Sequence, residues 1–407
     1  MLIFMSLIWE ECKMKLLKHE MKKLLFNKVK LLLLAAMFIF YAVLGWGVSA
    51  GNAGAAEYDR LIVENTGKLN QQQYEESKEI YKAAVDKYGT GEPLAVQVNR
   101  YPVLRFHSLY VRFGQSVDAY WNGPEKQNPD DILGVYLLQE KLEELENANQ
   151  TNSYEYRLYK MRLNTELAYG EPYFTQSYYW NIYFVAFEAI LVIFFAMAAI
   201  AFFISPVFSQ EVKTEMDSII LCSVKGRREI VTAKLLSAGI TSAIIAAVYL
   251  IGYFAGTWIT VGDLSGFDAP IRSLGGFGLS ALNVMAGEMA IISALWLILV
   301  ASAFGVTLTL ISALVKNQSA AFGLGIAVLF AGALSNSLGN MPQFLHPLIY
   351  FNFSTMSMFN TVFGGNRIFN LLGTPVSYGM MAFIVCLALG ALACLLTYIA
   401  QKKRSVV

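Results

Sequence analysis

The chain is 407 residues long, with 56% hydrophobic and 15% charged residues, where an ordinary soluble domain carries about 25% charged residues. That deficit excludes a plain soluble enzyme, and 31 Lys+Arg against 30 Asp+Glu leave no global basic field of the kind nucleic-acid binding needs. Cys12, Cys222, Cys386 and Cys394 form no CxxC pattern, and His19, His107 and His346 stand apart without ligands at metal spacing, so neither a disulfide framework nor a metal site is expected.

Residues 1–30 hold seven Lys. Met14, Leu17, Met21 and Leu24 recur at helical spacing while Lys15, Lys18 and Lys22 take another face. The pattern predicts a basic amphipathic helix in the headgroup layer or a positive flank that sets topology. Leu31 to Ala50 is then apolar and uncharged, long enough to cross a hydrocarbon core of about 30 Å at about 1.5 Å per residue. It is longer than a signal-peptide core and is read as an uncleaved first span.

Residues 51–178 are polar, with 13 basic and 19 acidic side chains for a net charge of −6, and hold 14 of the 22 tyrosines. Leu138, Leu142 and Leu145 repeat at i, i+4, i+7 among Glu and Lys, and Tyr154 to Tyr169 mixes helix formers with aromatics. Both patterns predict helix. The segment is read as a mostly helical extracytoplasmic domain, its tyrosines used in packing or as an aromatic binding surface.

Five further apolar stretches follow within 179–400. Trp180 to Phe208 carries one charge, Glu188; Leu235 to Gly262 carries none; Ser273 to Val315 carries only Glu288. The last is too long for one span, so its first third is expected to be loop or interfacial helix. Ser319 to Leu338 comes after the break Lys316-Asn317-Gln318, and Tyr378 to Ala400 is last. Five Lys+Arg in 209–234, then Lys316 and Lys402, Lys403 and Arg404 alternate with flanks holding only Arg272 and Arg367. The positive-inside rule therefore places both termini, including the tail 401–407, in the cytoplasm, and 51–178 and the loop 339–377 outside. The expected fold class is an all-α polytopic membrane protein with six transmembrane helices in a cell membrane. Glu188 and Glu288 lie toward the outer ends of their spans, as pathway carboxylates or as acids reaching interfacial water.

The loop 209–234 carries the most information. Met216, Ile219, Ile220 and Val224 form one apolar helical face, Lys213 and Asp217 lie off it, and Gly226 is read as a helix stop before Arg227, Arg228 and Lys234. The order Glu211, short spacer, apolar helix, Gly-Arg-Arg and then Lys234 leading into the third span resembles the ABC-2 type transporter permeases. So do HEMKKLLFNK at 19–28, the six-span plan, and the Pro-containing MPQFLHPLIYFNFSTMSMF at 341–359. The chain departs from many members in lacking a Pro near Val224 or Lys225. The resemblance implies a non-enzymatic, dimeric permease that exports a small molecule, peptide or lipid. It also implies a separate ATPase subunit docking on Glu211, Met216, Ile219, Ile220, Val224, Gly226, Arg227 and Arg228. The ATP would be bound by that partner, since no GxxxxGK[ST] loop is present: Gly67-Lys68 is followed by Leu69 and lacks the upstream Gly. The rival reading is a membrane-anchored sensor or a mechanotransmission permease, whose outward domain binds a ligand or partner without translocation.

Overall fold

A computed structural model describes residues 2–50, 56–122, 135–175, 178–185, 190–214, 216, 226–262, 266–274, 276–315, 317–337 and 346–403. Helix α1 (Leu2–Leu25) is separated from α2 (Lys28–Ala50) at Phe26-Asn27. There the Asn27 carboxamide oxygen accepts the Val29 N–H at 3.1 Å and starts the new helix. Only part of the expected apolar face of α1 is covered: Leu24 is buried and Leu17 and Met21 half-buried, but Met14 is exposed.

The polar segment after α2 folds as α3 (Ala56–Glu64), α4 (Gln71–Tyr88), α5 (Glu92–Arg100), α6 (Pro102–Asn122), α7 (Val135–Asn147) and α8 (Tyr154–Tyr169). Asn70 caps α4 by accepting the amides of Gln72 and Gln73, and Ser153 caps α8 through Tyr156. Leu138 and Leu142 are buried as their spacing requires. A small aromatic core of Ile62, Phe106, Tyr110 and Phe174 holds α3 and α6 to the chain after α8. Between α4 and α6 the buried Ser77 hydroxyl meets His107 Nδ1 at 2.9 Å.

The apolar stretches form α9 (Tyr178–Val185), α10 (Ile190–Ile204), α11 (Pro206–Lys213), α12 (Gly226–Val261), α13 (Ala286–Leu314), α14 (Gln318–Ser337) and α18 (Tyr378–Lys403). Among the described residues, five helices are long and apolar enough to cross a membrane: α2, the α10–α11 run from Val192, α12, α13 and α18. The sixth expected span is α14, whose apolar part, Gln318–Gly332, is shorter. As expected, the first third of 273–315 is not a long helix but a 3-10 turn, Ile271–Ser273, and loop up to Ala286.

Small residues bring α2 and α12 together. Gly252 and Gly256 form a GxxxG pair on α12, and a Cβ at Gly252 would stand 2.9 Å from the Phe38 carbonyl oxygen. One at Gly256 would overlap the Ala42 carbonyl outright, and Gly45 on α2 leaves room for Tyr253 and Thr257. With no water to expel between helices in lipid, such close contact supplies the packing energy.

The segment read as an outer loop, 339–377, packs into the bundle where it is described. Short helices α15 (His346–Tyr350), α16 (Phe353–Ser357) and α17 (Phe359–Phe363) precede a hairpin of β1 (Ile368–Leu371) and β2 (Thr374–Ser377). The Trp296 indole donates to the Met356 carbonyl at 2.7 Å, Ser354 Oγ to Leu329 at 2.7 Å, and Asn360 to Phe184 at 3.2 Å. Irregular backbone is tolerated at this depth because protein partners satisfy it. The hairpin is the one departure from an all-helical reading among the described residues.

The domain 56–175 is joined to the rest of the bundle by a buried ion pair, and Arg162 Nη2 also donates to the Asn366 carbonyl at 3.5 Å. Arg272, in the loop between α12 and α13, makes a two-pronged ion pair with Glu166 of α8 at 2.7 and 2.5 Å, both side chains nearly buried. The Glu166 carbonyl accepts Tyr120 Oη, and Asn283 Nδ2 donates to the Ala168 carbonyl at 2.8 Å. The loop 266–285 therefore lies on the same side of the bundle as 56–175.

Two outcomes follow from this packing. Gly256→Leu is expected to cost about 1–3 kcal/mol or more through overpacking, read as a lowered melting midpoint in detergent by tryptophan fluorescence. Gly47→Leu, with open space around it, leaves the midpoint unchanged. Burial holds the His107 imidazole below its ordinary value against an opposing pull from Glu76. The unfolded chain then takes up the proton first, so the stability of the domain 56–175 is complete above about pH 6.5 and declines as pH falls below it. A melting midpoint that drops between pH 7 and pH 5 in the native chain, and much less in His107→Gln, is the expected result.

Candidate functional site

At the end of the bundle away from the domain 56–175, three helices meet around one ammonium group. Lys234, in the third turn of α12, is 1% exposed. Its Nζ donates to Glu211 Oε1 of α11 at 2.7 Å, to the Val207 carbonyl at 2.6 Å and to Glu20 Oε2 of α1 at 3.3 Å. The Phe208 ring lies 4.9 Å away. Lys23 of α1, half exposed, completes a neutral quartet by reaching Glu20 at 2.8 Å and Glu211 at 3.5 Å. Each lysine thus touches both carboxylates.

Local sequence puts these groups in position. Pro206 at the start of α11 needs no amide partner there. The next free amides, of Phe208 and Ser209, are taken by Ser312 Oγ of α13 at 3.0 and 3.2 Å, and that hydroxyl donates to the Ser205 carbonyl at 2.7 Å. Helix α11 is therefore fixed to α13 by hydrogen bonds and to α12 and α1 by charge. Helix α12 has 36 residues, about 54 Å at about 1.5 Å per residue, against a bilayer of about 40–45 Å including headgroups. Its excess length carries the chain from Gly226 to the quartet.

The charges tune one another. Burial pushes the Glu20 carboxyl up, but Lys234 and Lys23 outweigh it and hold it below the usual carboxylate range. Burial likewise pulls Lys23 down, and Glu20 and Glu211 outweigh it, raising the ammonium above its ordinary value. The quartet thus pairs two basic side chains with two acidic ones. No group of three or more metal-ligating side chains occurs among the described residues.

The residues singled out from sequence fare differently. Glu211 sits inside the quartet. Met216 is exposed, while Ile219, Ile220 and Val224 lie outside the described residues, as does Glu188. Gly226, expected as a helix stop, is the first residue of α12, followed by Arg227 and then Arg228, which is exposed. Glu288 is exposed in the first turn of α13, where its carboxylate accepts the Met285 N–H at 3.0 Å. That is a helix-end bond, and it accounts for an acid there without any pathway.

Sequence reasoning missed Glu20 and Lys23, and gave Lys234 no partner. A signal was present. Glu20 falls on the same helical face as Leu17 and Leu24, and Lys234 lies between Val231 and Leu235 on an apolar helix. Ionisable residues on apolar faces are rarely buried unless paired.

Residues 55–399 match the family described as ABC-2 family transporter protein. No curated protein matches the chain.

Lys234→Met leaves two carboxylates facing one another without their shared cation, which should cost about 3–5 kcal/mol. The expected readout is loss of folded protein on size-exclusion chromatography in detergent. Adding Glu20→Leu and Glu211→Leu to Lys234→Met removes the unpaired acids and should recover most of it.

Proposed function

The chain belongs to the ABC-2 transporter family, and on that premise we propose that it is the membrane-spanning subunit of an ATP-driven exporter, energised by a separate ATPase chain. The proposal includes six crossings with both termini in the cytoplasm, a second permease subunit beside this one, and a loop between the second and third spans that receives the ATPase. The observation that carries it is the charge quartet. Glu211 and Lys234 stand at the two ends of that loop, 2.7 Å apart; Glu20 ties Lys234, and Lys23 ties Glu211, to the helix before the first span. A push on the loop is passed to α1, α11 and α12 together, since none can shift without separating buried charges.

Roles divide accordingly. Met216, Ile219, Ile220 and Val224 present the apolar face to the ATPase, Gly226 lets the chain turn into α12, and Arg227 and Arg228 offer cations at the rim. Glu211 acts from behind, as an anchor. The chain itself contains no phosphate-binding loop, so it requires its partner for ATP hydrolysis.

Ile220→Asp and Val224→Asp place a charge in the proposed contact and are expected to leave expression and membrane insertion intact. Co-purification of the ATPase should fall at least about tenfold, a loss of about 1.4 kcal/mol in binding. Lys316→Gln should change it little. Wild-type ATPase retention and coupling in both Asp variants would overturn this reading in favour of a sensor.

A further inference from the structure

The outward domain carries a groove that the transport reading leaves unused. It has a volume of about 510 Å³ and runs between one face of α8 and the loop leading to α13, lined by Arg157, Lys160, Asn164, Thr165, Ala281 and Asn283. The Asn283 bond to the Ala168 carbonyl fixes the loop against the helix. No carboxylate lines the groove. The acid on the neighbouring face of α8, Glu166, is committed to Arg272. Arg157 and Lys160 are exposed and make no ion pair among the described residues; Arg157 donates only to the Asn152 carbonyl and Lys160 lies over the Tyr156 ring.

Exposed apolar side chains occur on the same elements as the groove. Leu167 on the adjoining row of α8 is 52% exposed, and Leu279 and Met285, on either side of Ala281 and Asn283 in sequence, are 41% and 44% exposed. The hairpin tip adds Leu372, 99% exposed, next to Gly373, where a Cβ would come 3.7 Å from Arg157 Nη2. Asn283 is three residues from the first turn of α13, within about 10 Å of chain, and so close to the headgroup layer. Exposed cations and exposed apolar side chains carried by the same elements at that level are the pattern of a surface that meets lipid.

We propose that this groove binds the phosphate of an anionic phospholipid headgroup in the outer leaflet, with Arg157 and Lys160 as the charge partners and Asn164 and Asn283 as neutral donors. A freely diffusing anion fits less well. The domain around the groove has a net charge of −6 and repels anions from solution, whereas a lipid is held in the plane of the membrane beside it. The assignment to the outer leaflet rests on the topology proposed above, whereas the site itself does not depend on the ATPase.

The test uses the full chain in neutral detergent without any ATPase, titrated with dioctanoylphosphatidylglycerol, dioctanoylphosphatidylcholine or inorganic phosphate and followed by thermophoresis. Saturable binding of the glycerol lipid is expected, with the choline lipid and phosphate much weaker. The loss should be about fivefold per cation removed and about 25-fold for Arg157→Gln with Lys160→Gln. Arg157→Lys with Lys160→Arg should retain affinity within about twofold, since the headgroup contact is one of charge, and Lys141→Gln, elsewhere on the domain, should have no effect. Undiminished lipid binding by the Gln pair, or an equal loss on Lys141→Gln, overturns the site. Inorganic phosphate binding as tightly as the glycerol lipid overturns the assignment to a membrane lipid.

Discussion

An ammonium group withdrawn from water must be compensated where it lies, and Lys234 imposes that condition on this end of the molecule. Its three donors are met by two carboxylates from different helices and one carbonyl. Helix α1 must therefore bring Glu20 inward from among the lysines of its second half, and α11 must present Glu211 and Val207 to Lys234. The break at Phe26-Asn27, the turn into α11 at Pro206 and the hold of Ser312 on its first amides are the local devices that make this geometry reachable.

At the opposite end a second buried ion pair, Arg272 with Glu166, performs the same service for the domain 56–175. Both clamps act on one helical hairpin: α12 carries Lys234 near its start, and the loop between α12 and α13 carries Arg272. Between them the contact with α2 depends on Gly45, Gly252 and Gly256, where backbone meets backbone. The two ends of this hairpin are thus fixed by charge and its middle by shape.

What the sequence disclosed depended on how local the signal was. Hydropathy located α2, α10, α12, α13 and α18, because twenty apolar residues have few other uses, and Tyr154 to Tyr169 coincides with α8. The non-helical start of the 273–315 stretch was legible from its length alone. The hairpin was not: its two-residue turn is Leu372-Gly373, both at positive φ, and lacks the Asn or Asp that usually announces such a turn. Nor was the quartet, whose bonds join residues 188 and 214 positions apart. Periodicity identifies a face but not what will lie against it. Counting Lys234 and Arg272 as topology charges treated each as a solitary group facing water, where the fold gives each a carboxylate instead.

Buried ion pairs are an uneconomical source of stability, since well-packed apolar groups of similar volume serve as well or better. Their distinct contribution is register. Along an apolar seam a helix can rotate or slide with little change in buried area. A slip of one residue in α12 would carry the Lys234 ammonium about 1.5 Å along the axis and about 100° around it, away from both carboxylates and toward lipid. The two clamps therefore restrict α12 and α13 to movements that keep both ends paired, which are movements of neighbouring elements as joined bodies. For the proposed role of relaying motion across about 30 Å of hydrocarbon, that restriction makes displacement at one end of the hairpin appear at the other, because an independent slip of α12 is opposed at both ends by the cost of stranding a charge.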